Sequence, residues 1–280
     1  MSGARARRVK TRVVVVGSGK VGRALTKGLR AARIHVANVA RRDLDRRASS
    51  AAMGRATMVV LAVRDGEVSR VAEALVEVLA PTCVVLHTAG ALGVDALDAL
   101  HRAGFHVGKA HPLAAFASER RAPSLADASL VIEGDRSALR GARRIARALG
   151  MRPVVAMHVD PTRYHAAAAL LANGAAALAT HASRAFASAG VPAAAQAGML
   201  GGLLRTVADN VATLGPDAAL SGPVRRGDAD TIARHLASLR EVGAEAEALY
   251  AALVRAQLPI ARSIGEATSA QLAAIDAATR

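Results

Sequence analysis

Hydrophobic and polar positions change their period along this chain. From Arg12 to about Met157, short apolar runs rich in β-branched residues alternate with longer amphipathic stretches. The runs are Val13–Val16, Ile34–Val39, Met58–Val63, Cys83–Leu86, Phe105–Val107, Leu130–Ile132 and Pro153–Val155. None alternates polar with apolar, which suits strands buried on both faces, as in a parallel sheet. Stretches such as Glu67–Leu79 and Ser137–Leu149 repeat apolar residues at helical spacing and supply the crossovers.

After Asp160-Pro161 no convincing strand follows. Tyr164 to Ala189 reads as one long Ala-rich helix, with further helices over Ala193–Leu214, Asp228–Leu253 and Ser263–Ala277, punctuated by Pro192, Pro216, Pro223 and Pro259. The pattern therefore predicts an α/β domain with a doubly wound sheet over 12–158 and an all-α domain over 159–280. A basic arm over 1–11 precedes them.

The first strand runs into Gly17-Ser18-Gly19-Lys20-Val21-Gly22. A G-x-G-x-x-G turn between a strand and a helix is the phosphate-binding turn of a dinucleotide-binding (Rossmann) domain. Gly17 allows the tight turn, Gly19 lets a pyrophosphate approach the backbone, and Gly22 lets the helix pack against the strand. The helix N-terminus offers free N–H groups to the phosphates. The alternative is a glycine turn kept only for packing. The second strand selects the cofactor. An NAD site places a carboxylate at that strand's end, and an NADP site places arginine there for the 2′-phosphate. Here the strand ends in Val39-Ala40 and continues as Arg41-Arg42-Asp43, with Asp43 beyond the strand end. Guanidinium groups bind phosphate bidentately, so NADP(H) is expected. Ligands sit at the carboxyl ends of the strands, so Ala62-Val63-Arg64-Asp65 and Thr88-Ala89-Gly90 also face the cofactor.

Composition narrows the partners. The net charge of +15 attracts anions. Only Arg5 to Arg12 is a dense basic cluster; the remaining arginines are spread along the chain. Three Phe, two Tyr and no Trp leave few platforms for stacking bases, which argues against nucleic acid. The single cysteine, Cys83, sits in an apolar run and reads as a buried small hydrophobe. The apolar run Val13–Val16 is too short for a signal peptide, and no span of about 20 uncharged apolar residues suggests a membrane helix. The expectation is a cytoplasmic protein.

Three places carry candidate chemistry. His111, before Pro112, is held extended and projects at the sheet's carboxyl edge, where it could donate a proton or bind a carboxylate. His165 begins the long helix, and Asn173 follows about 12 Å along it. The loop Ser221-Gly222-Pro223-Val224-Arg225-Arg226 could bind a substrate carboxylate or a neighbouring subunit through Ser221, Gly222, Arg225 and Arg226, while Asp228 is placed to cap the next helix. The bland alternatives are a turn histidine, a buried helix histidine and an ordinary loop. The remaining histidines show no metal spacing, and no G-x-S-x-G elbow is present.

Taken in order, Gly17–Gly22, Ala62–Asp65, His87-Thr88-Ala89-Gly90-Ala91, His111-Pro112-Leu113-Ala114-Ala115-Phe116, Tyr164–Ala168 and Ser221-Gly222-Pro223 with Gly227-Asp228 resemble a bacterial family of oxidoreductase-type proteins. That family joins a Rossmann-like N-terminal domain to a helical C-terminal domain of unknown function. It is related to pyrroline-5-carboxylate reductases, ketopantoate reductases and β-hydroxyacid dehydrogenases. The resemblance implies an NADP-linked reduction of a small anionic oxo acid or a cyclic imine, and a homodimer formed through the helical domain. The β-hydroxyacid dehydrogenases use a lysine on the first helix after the Rossmann domain, with an asparagine one turn later. This helix has His165 instead, and its asparagine is displaced to Asn173. His111, His165 and Asn173 are thus the candidate catalytic residues. An NADP(H)-sensing regulator without catalysis is the rival reading, and a nucleic-acid binder a distant third.

Overall fold

The computed structural model describes residues 11–44, 46–118, 120 and 122–280. The basic arm lies outside these residues, apart from Thr11. The chain forms two compact units, Met1–Ala172 and Asn173–Arg280.

Each apolar run of the first unit becomes a strand: β1 (Arg12–Val16), β2 (His35–Val39), β3 (Met58–Leu61), β4 (Val84–His87), β5 (His106–Leu113), β6 (Ser129–Gly134) and β7 (Arg152–Val155). Helices α1 (Lys20–Ala31), α2 (Arg47–Met53), α3 (Val68–Leu75), α4 (Asp98–Arg102) and α5 (Arg136–Leu149) lie between them. One seven-stranded sheet has the order β2-β1-β3-β4-β5-β6-β7. Strands β1 to β5 are parallel, with Val13 opposite Met58 and Met58 opposite Val84. Successive side chains leave a strand on opposite faces. Val14, Val16, Val59, Leu61 and Val85 therefore pack with Val71 and Leu75 of α3 on one face. Val13, Val15, Met58, Val60 and Leu86 pack with Leu25 of α1 and Ile145 of α5 on the other. Helices cover both faces, which is why the strands need no polar alternation.

Parallel pairing is interrupted between β5 and β6 and resumes between β6 and β7. The segment 114–128 contains no helix among its described residues, and without a crossover the chain can only return antiparallel. Strand β6 accordingly runs back along β5 from Gly108 opposite Gly134 to Leu113 opposite Ser129. This pairing carries β5 through Lys109 to Leu113, farther than the sequence pattern implies. Local chemistry sets the ends of α5. Asp135 Oδ1 accepts from the backbone N–H groups of Ser137 and Ala138 at 2.7 and 2.9 Å, and Gly150 turns out of the helix at φ 68°.

Helix α6 (Pro161–Ser188) follows the sheet, and the two units divide within it. The second unit continues through α7 (Ala193–Leu214), α8 (Pro223–Arg226), α9 (Ala229–Val242), α10 (Ala244–Ile264) and α11 (Ser269–Ala278). Val224, Ile232, Leu236, Val254, Leu258, Leu272 and Ile275 form its core. Three expected helices differ in their bounds, and Ser263–Ala277 is divided between the end of α10 and α11. The stretch Asp228–Leu253 is broken at Gly243, whose φ of 152° no helix accommodates. Pro259, expected between helices, lies inside α10, where it deprives the Arg255 carbonyl of its helical partner. No helix among the described residues is long and apolar enough to cross a membrane.

Ile132 is fully buried in β6. Ile132→Ala is expected to cost about 2–5 kcal/mol of stability, measured by urea unfolding. A loss below about 1 kcal/mol, the range of an Ile→Val change, would show that β6 is not tightly packed there.

Candidate functional site in the strand–helix unit

The glycine turn lies where the sheet's order reverses, between the carboxyl ends of β1 and β3, which is the ligand crevice of an open α/β sheet. Gly17 has φ 121°, and a Cβ on it would run into the Ala62 carbonyl. A Cβ on Gly22 would run into the Gly17 carbonyl. These two glycines close the turn. Asn38 supports it from β2 by donating Nδ2–H to Gly17 O at 2.8 Å, and Gly17 N–H bonds Val39 O at 2.8 Å. Gly19 is different, because a Cβ there would meet nothing within 4 Å. It caps α1 without a side-chain bond, and the helix's first turn contains no acidic residue. The amides at this helix start therefore meet neither a capping side chain nor a local carboxylate, which fits an anion. Ser18 and Lys20 are exposed and Val21 is half-buried. Lys20 Nζ reaches Ala117 O at 3.0 Å.

Arg41 and Arg42 follow β2, but their surroundings differ. Arg41 Nε pairs with Glu67 Oε1 at 2.9 Å, while Arg42 is exposed. An exposed pair of this kind is worth about 0–1 kcal/mol, so an incoming phosphate can compete for Arg41. After β3, Ala62 and Val63 are half-buried and Arg64 and Asp65 are exposed. After β4, Thr88 Oγ1 donates to Leu61 O at 3.2 Å, and Ala89 and Gly90 are buried.

Beyond Gly90 the site adds Lys109, which the sequence pattern did not single out, and His87, which it placed at the end of the fourth strand. Lys109, only 3% exposed, donates through Nζ to Gly90 O and Leu92 O, both at 2.8 Å. Its ammonium lies 5.0 Å from the centre of the Tyr164 ring. Burial pulls the Lys109 pKa down, opposed by the charges of Glu133 and Asp65. His87, fully buried, bonds Gly93 O through Nε2 at 3.0 Å and leaves Nδ1 without a hydrogen-bond partner. Three inward bonds thus fasten the 90–93 loop to the sheet. Burial lowers the His87 pKa to about 4.

His111 Nδ1 lies 2.7 Å from the Tyr164 hydroxyl, the two rings edge to face with centres 5.5 Å apart. The His165 ring centre is 6.2 Å from that of His111. Burial, reinforced by the nearby Lys109 charge, lowers the His111 pKa to about 4. A Cβ on Gly90 would press on both His111 Nε2 and His165 Nδ1. The two ring nitrogens therefore converge on Gly90, in space that a side chain at 90 would take.

The structure brings His111 and His165 together and adds Lys109 and Tyr164. The usable signal for Lys109 was a charged residue inside an apolar strand, which can be buried only with partners. Asn173 is exposed farther along α6 and begins the second unit. In that unit Ser221 and Arg226 are exposed and Gly222 adopts φ 94°. Arg225 is committed to Glu266 at 2.6 Å and to Leu220 O at 3.0 Å. Asp228 caps α9, accepting from Thr231 N–H at 3.0 Å. Cys83 is buried, which pushes its thiol pKa up to about 12. No group of three His, Cys, Asp or Glu residues suited to a metal occurs among the described residues.

Residues 128–257 match the family model described as a domain of unknown function, DUF2520. The expected pairing of a Rossmann-like domain with a helical domain of unknown function is thus present. A candidate NADP oxidoreductase from Bacteroides fragilis shares the fold at 21% identity and TM-score 0.68, over 89% of this chain and 98% of that one. Protein TM1727 from Thermotoga maritima is similar at 23% identity and TM-score 0.66, over 90% and 99%. A reductive aminase from Aspergillus terreus, in complex with NADPH and ethyl-5-oxohexanoate, is similar at 14% identity and TM-score 0.57, over 96% and 99%. No curated protein sequence matches the chain.

The buried histidines make stability depend on pH. His87 and His111 stay neutral in the fold down to about pH 4, while an unfolded histidine, with an ordinary pKa of 6.5, protonates earlier. The unfolded chain therefore binds more protons in that window, and stability falls as pH drops from 6.5 towards 4. The melting temperature is expected to decline across it, and less steeply in His111→Gln. Parallel profiles for the two proteins would show that His111 does not contribute.

Proposed function

We propose that this chain is an NADP(H)-dependent oxidoreductase that reduces a small anionic oxo acid or a cyclic imine. The carrying observation is the glycine turn at the switch point, closed at Gly17 and Gly22 and open at Gly19 above an uncapped helix start. A pyrophosphate fits that cradle. Arg42, with Arg41 when it leaves Glu67, would hold the 2′-phosphate. Ala62–Asp65 and Thr88–Gly90 would border the rest of the cofactor. The NADPH in the complex of the Aspergillus reductive aminase, which shares the fold, supports this assignment.

When bound, NADPH supplies a hydride to a carbonyl or imine carbon. The chain's own task is to position the substrate and supply a proton. His111 Nε2 is the donor in this reading, with His165 Nδ1 beside it to orient the same heteroatom. The net positive charge favours an anionic substrate. A lone buried cysteine suits a reducing compartment, and we assign the protein to the cytoplasm.

The working form in this proposal is a homodimer through the helices. Helix α6 buries none of its residues and α7 only Gln196. Met199, Leu203, Val207, Val211 and Leu214 recur at helical spacing on α7 and are 42–59% exposed. An apolar stripe of this kind needs cover, and a second copy offers the same stripe to meet it.

A fluorescence titration tests the cofactor. NADPH is expected to bind at least about tenfold more tightly than NADH, a difference of about 1.4 kcal/mol, and Arg42→Ala to remove most of that preference. Equal affinities would overturn the phosphate assignment, and binding of neither would overturn the enzyme. Sedimentation tests the interface, with a dimer expected for the native chain and a monomer for Leu203→Asp. A native monomer would remove that part of the proposal.

A further inference from the structure

Proton donation by His111 raises a difficulty. The groups facing its ring are Lys109 on β5, His87 on β4, and Tyr164 and His165 on α6. None is a carboxylate, and the nearest full charge is an ammonium. An imidazolium is disfavoured there, so His111 works as a neutral ring. A neutral ring that gave up its proton would become an imidazolate unless its other nitrogen gained one in the same step.

We propose that Tyr164 and Lys109 form a proton relay behind His111: the Tyr164 hydroxyl donates to His111 Nδ1, the ring carries its own proton on Nε2 towards Gly90 and His165, and Lys109 stabilises the charge left on Tyr164. This rests on the reductase reading above. A phenol is a stronger donor than acceptor, because its lone pair is delocalised into the ring. Neutral imidazole has one N–H and one acceptor nitrogen. With the hydroxyl at 2.7 Å donating to Nδ1, the relay places the ring proton on Nε2. That nitrogen lies against Gly90 beside His165 Nδ1. Lys109 is held by the Gly90 and Leu92 carbonyls and cannot swing away. Burial raises the Tyr164 pKa and disfavours a phenolate; Lys109, 5.0 Å from the ring centre, opposes that cost because it attracts a phenolate more strongly than a phenol. Glu133 and Asp65 act on Lys109 and help keep it charged.

The step balances. As the substrate carbon takes a hydride from the nicotinamide cofactor, its oxygen or nitrogen takes the Nε2 proton. The Nε2–H bond breaks, a Nδ1–H bond forms, and the Tyr164 O–H bond breaks. The ring remains neutral in the opposite tautomer. Tyr164 and the ring return to their starting state when solvent supplies one proton.

Nitrogen-15 NMR of the histidine side chains in the full chain reads this arrangement without a substrate. In the native protein, His111 is expected to be neutral and protonated on Nε2. In Tyr164→Phe, the tautomer should become mixed, while NADPH binds as before. In Lys109→Met, the His111 titration should move up by on the order of one unit. A native His111 protonated on Nδ1, or a tautomer unchanged in Tyr164→Phe, overturns the relay even if NADPH binds. If Lys109→Met folds, an unmoved titration overturns the role of Lys109. If it does not fold, Tyr164→Phe decides for the relay, and Lys109→Arg, expected to retain the native low titration, decides for the charge. Failure of the native chain to bind NADPH overturns the reductase reading, and with it the proton's destination.

Discussion

A lysine inside a sheet buried on both faces must be held or it unfolds what surrounds it. Lys109 is held by two loop carbonyls, one aromatic face and the fields of two carboxylates. Meeting its needs draws three separate parts of the chain to one place: the 90–93 loop, the start of α6 and the extended end of β5. The candidate chemistry sits where those three parts meet. An apolar residue at 109 would satisfy the sheet equally well, but would leave the Gly90 and Leu92 carbonyls without their donor.

The antiparallel return of β6 matters for the same reason. A strand paired only with β4 would end near Lys109, since that register stops there. Pairing with β6 continues to Leu113 and carries His111 on regular backbone. A group on a strand is placed more firmly than one on a loop. The histidine therefore meets Tyr164 at hydrogen-bonding distance without help from a ligand.

What was legible in the sequence follows the range of the forces involved. The central strands were visible because burial on both faces leaves an uninterrupted apolar run, as in Val13–Val16. The glycine turn was visible because its steric demands act within a few residues. His111 stood out because Pro112 fixes its backbone. Tyr164 stood only inside a longer motif without a role, because its meaning depends on a partner 53 residues away. Lys109 carried one signal, a charge within an apolar strand, but its partners appear only when the fold supplies the carbonyls at 90 and 92. Arg41 shows the converse. The sequence set it beside Arg42 as an equal, but only tertiary structure gives one of the two a carboxylate in Glu67. The break at Gly243 and the continuity through Pro259 are also tertiary results, decided by packing in the α8–α11 core rather than by local propensity.

Peptide planarity extends the reach of the lysine. A trans peptide points its carbonyl and the next residue's N–H in opposite directions. When Lys109 draws in the carbonyls of Gly90 and Leu92, it turns the amides of Ala91 and Gly93 away from itself. His87 does the same for the amide of Val94 by holding the Gly93 carbonyl. Side chains that barely touch solvent thus set the polarity of the loop's far side, where hydrogen-bond donors replace acceptors.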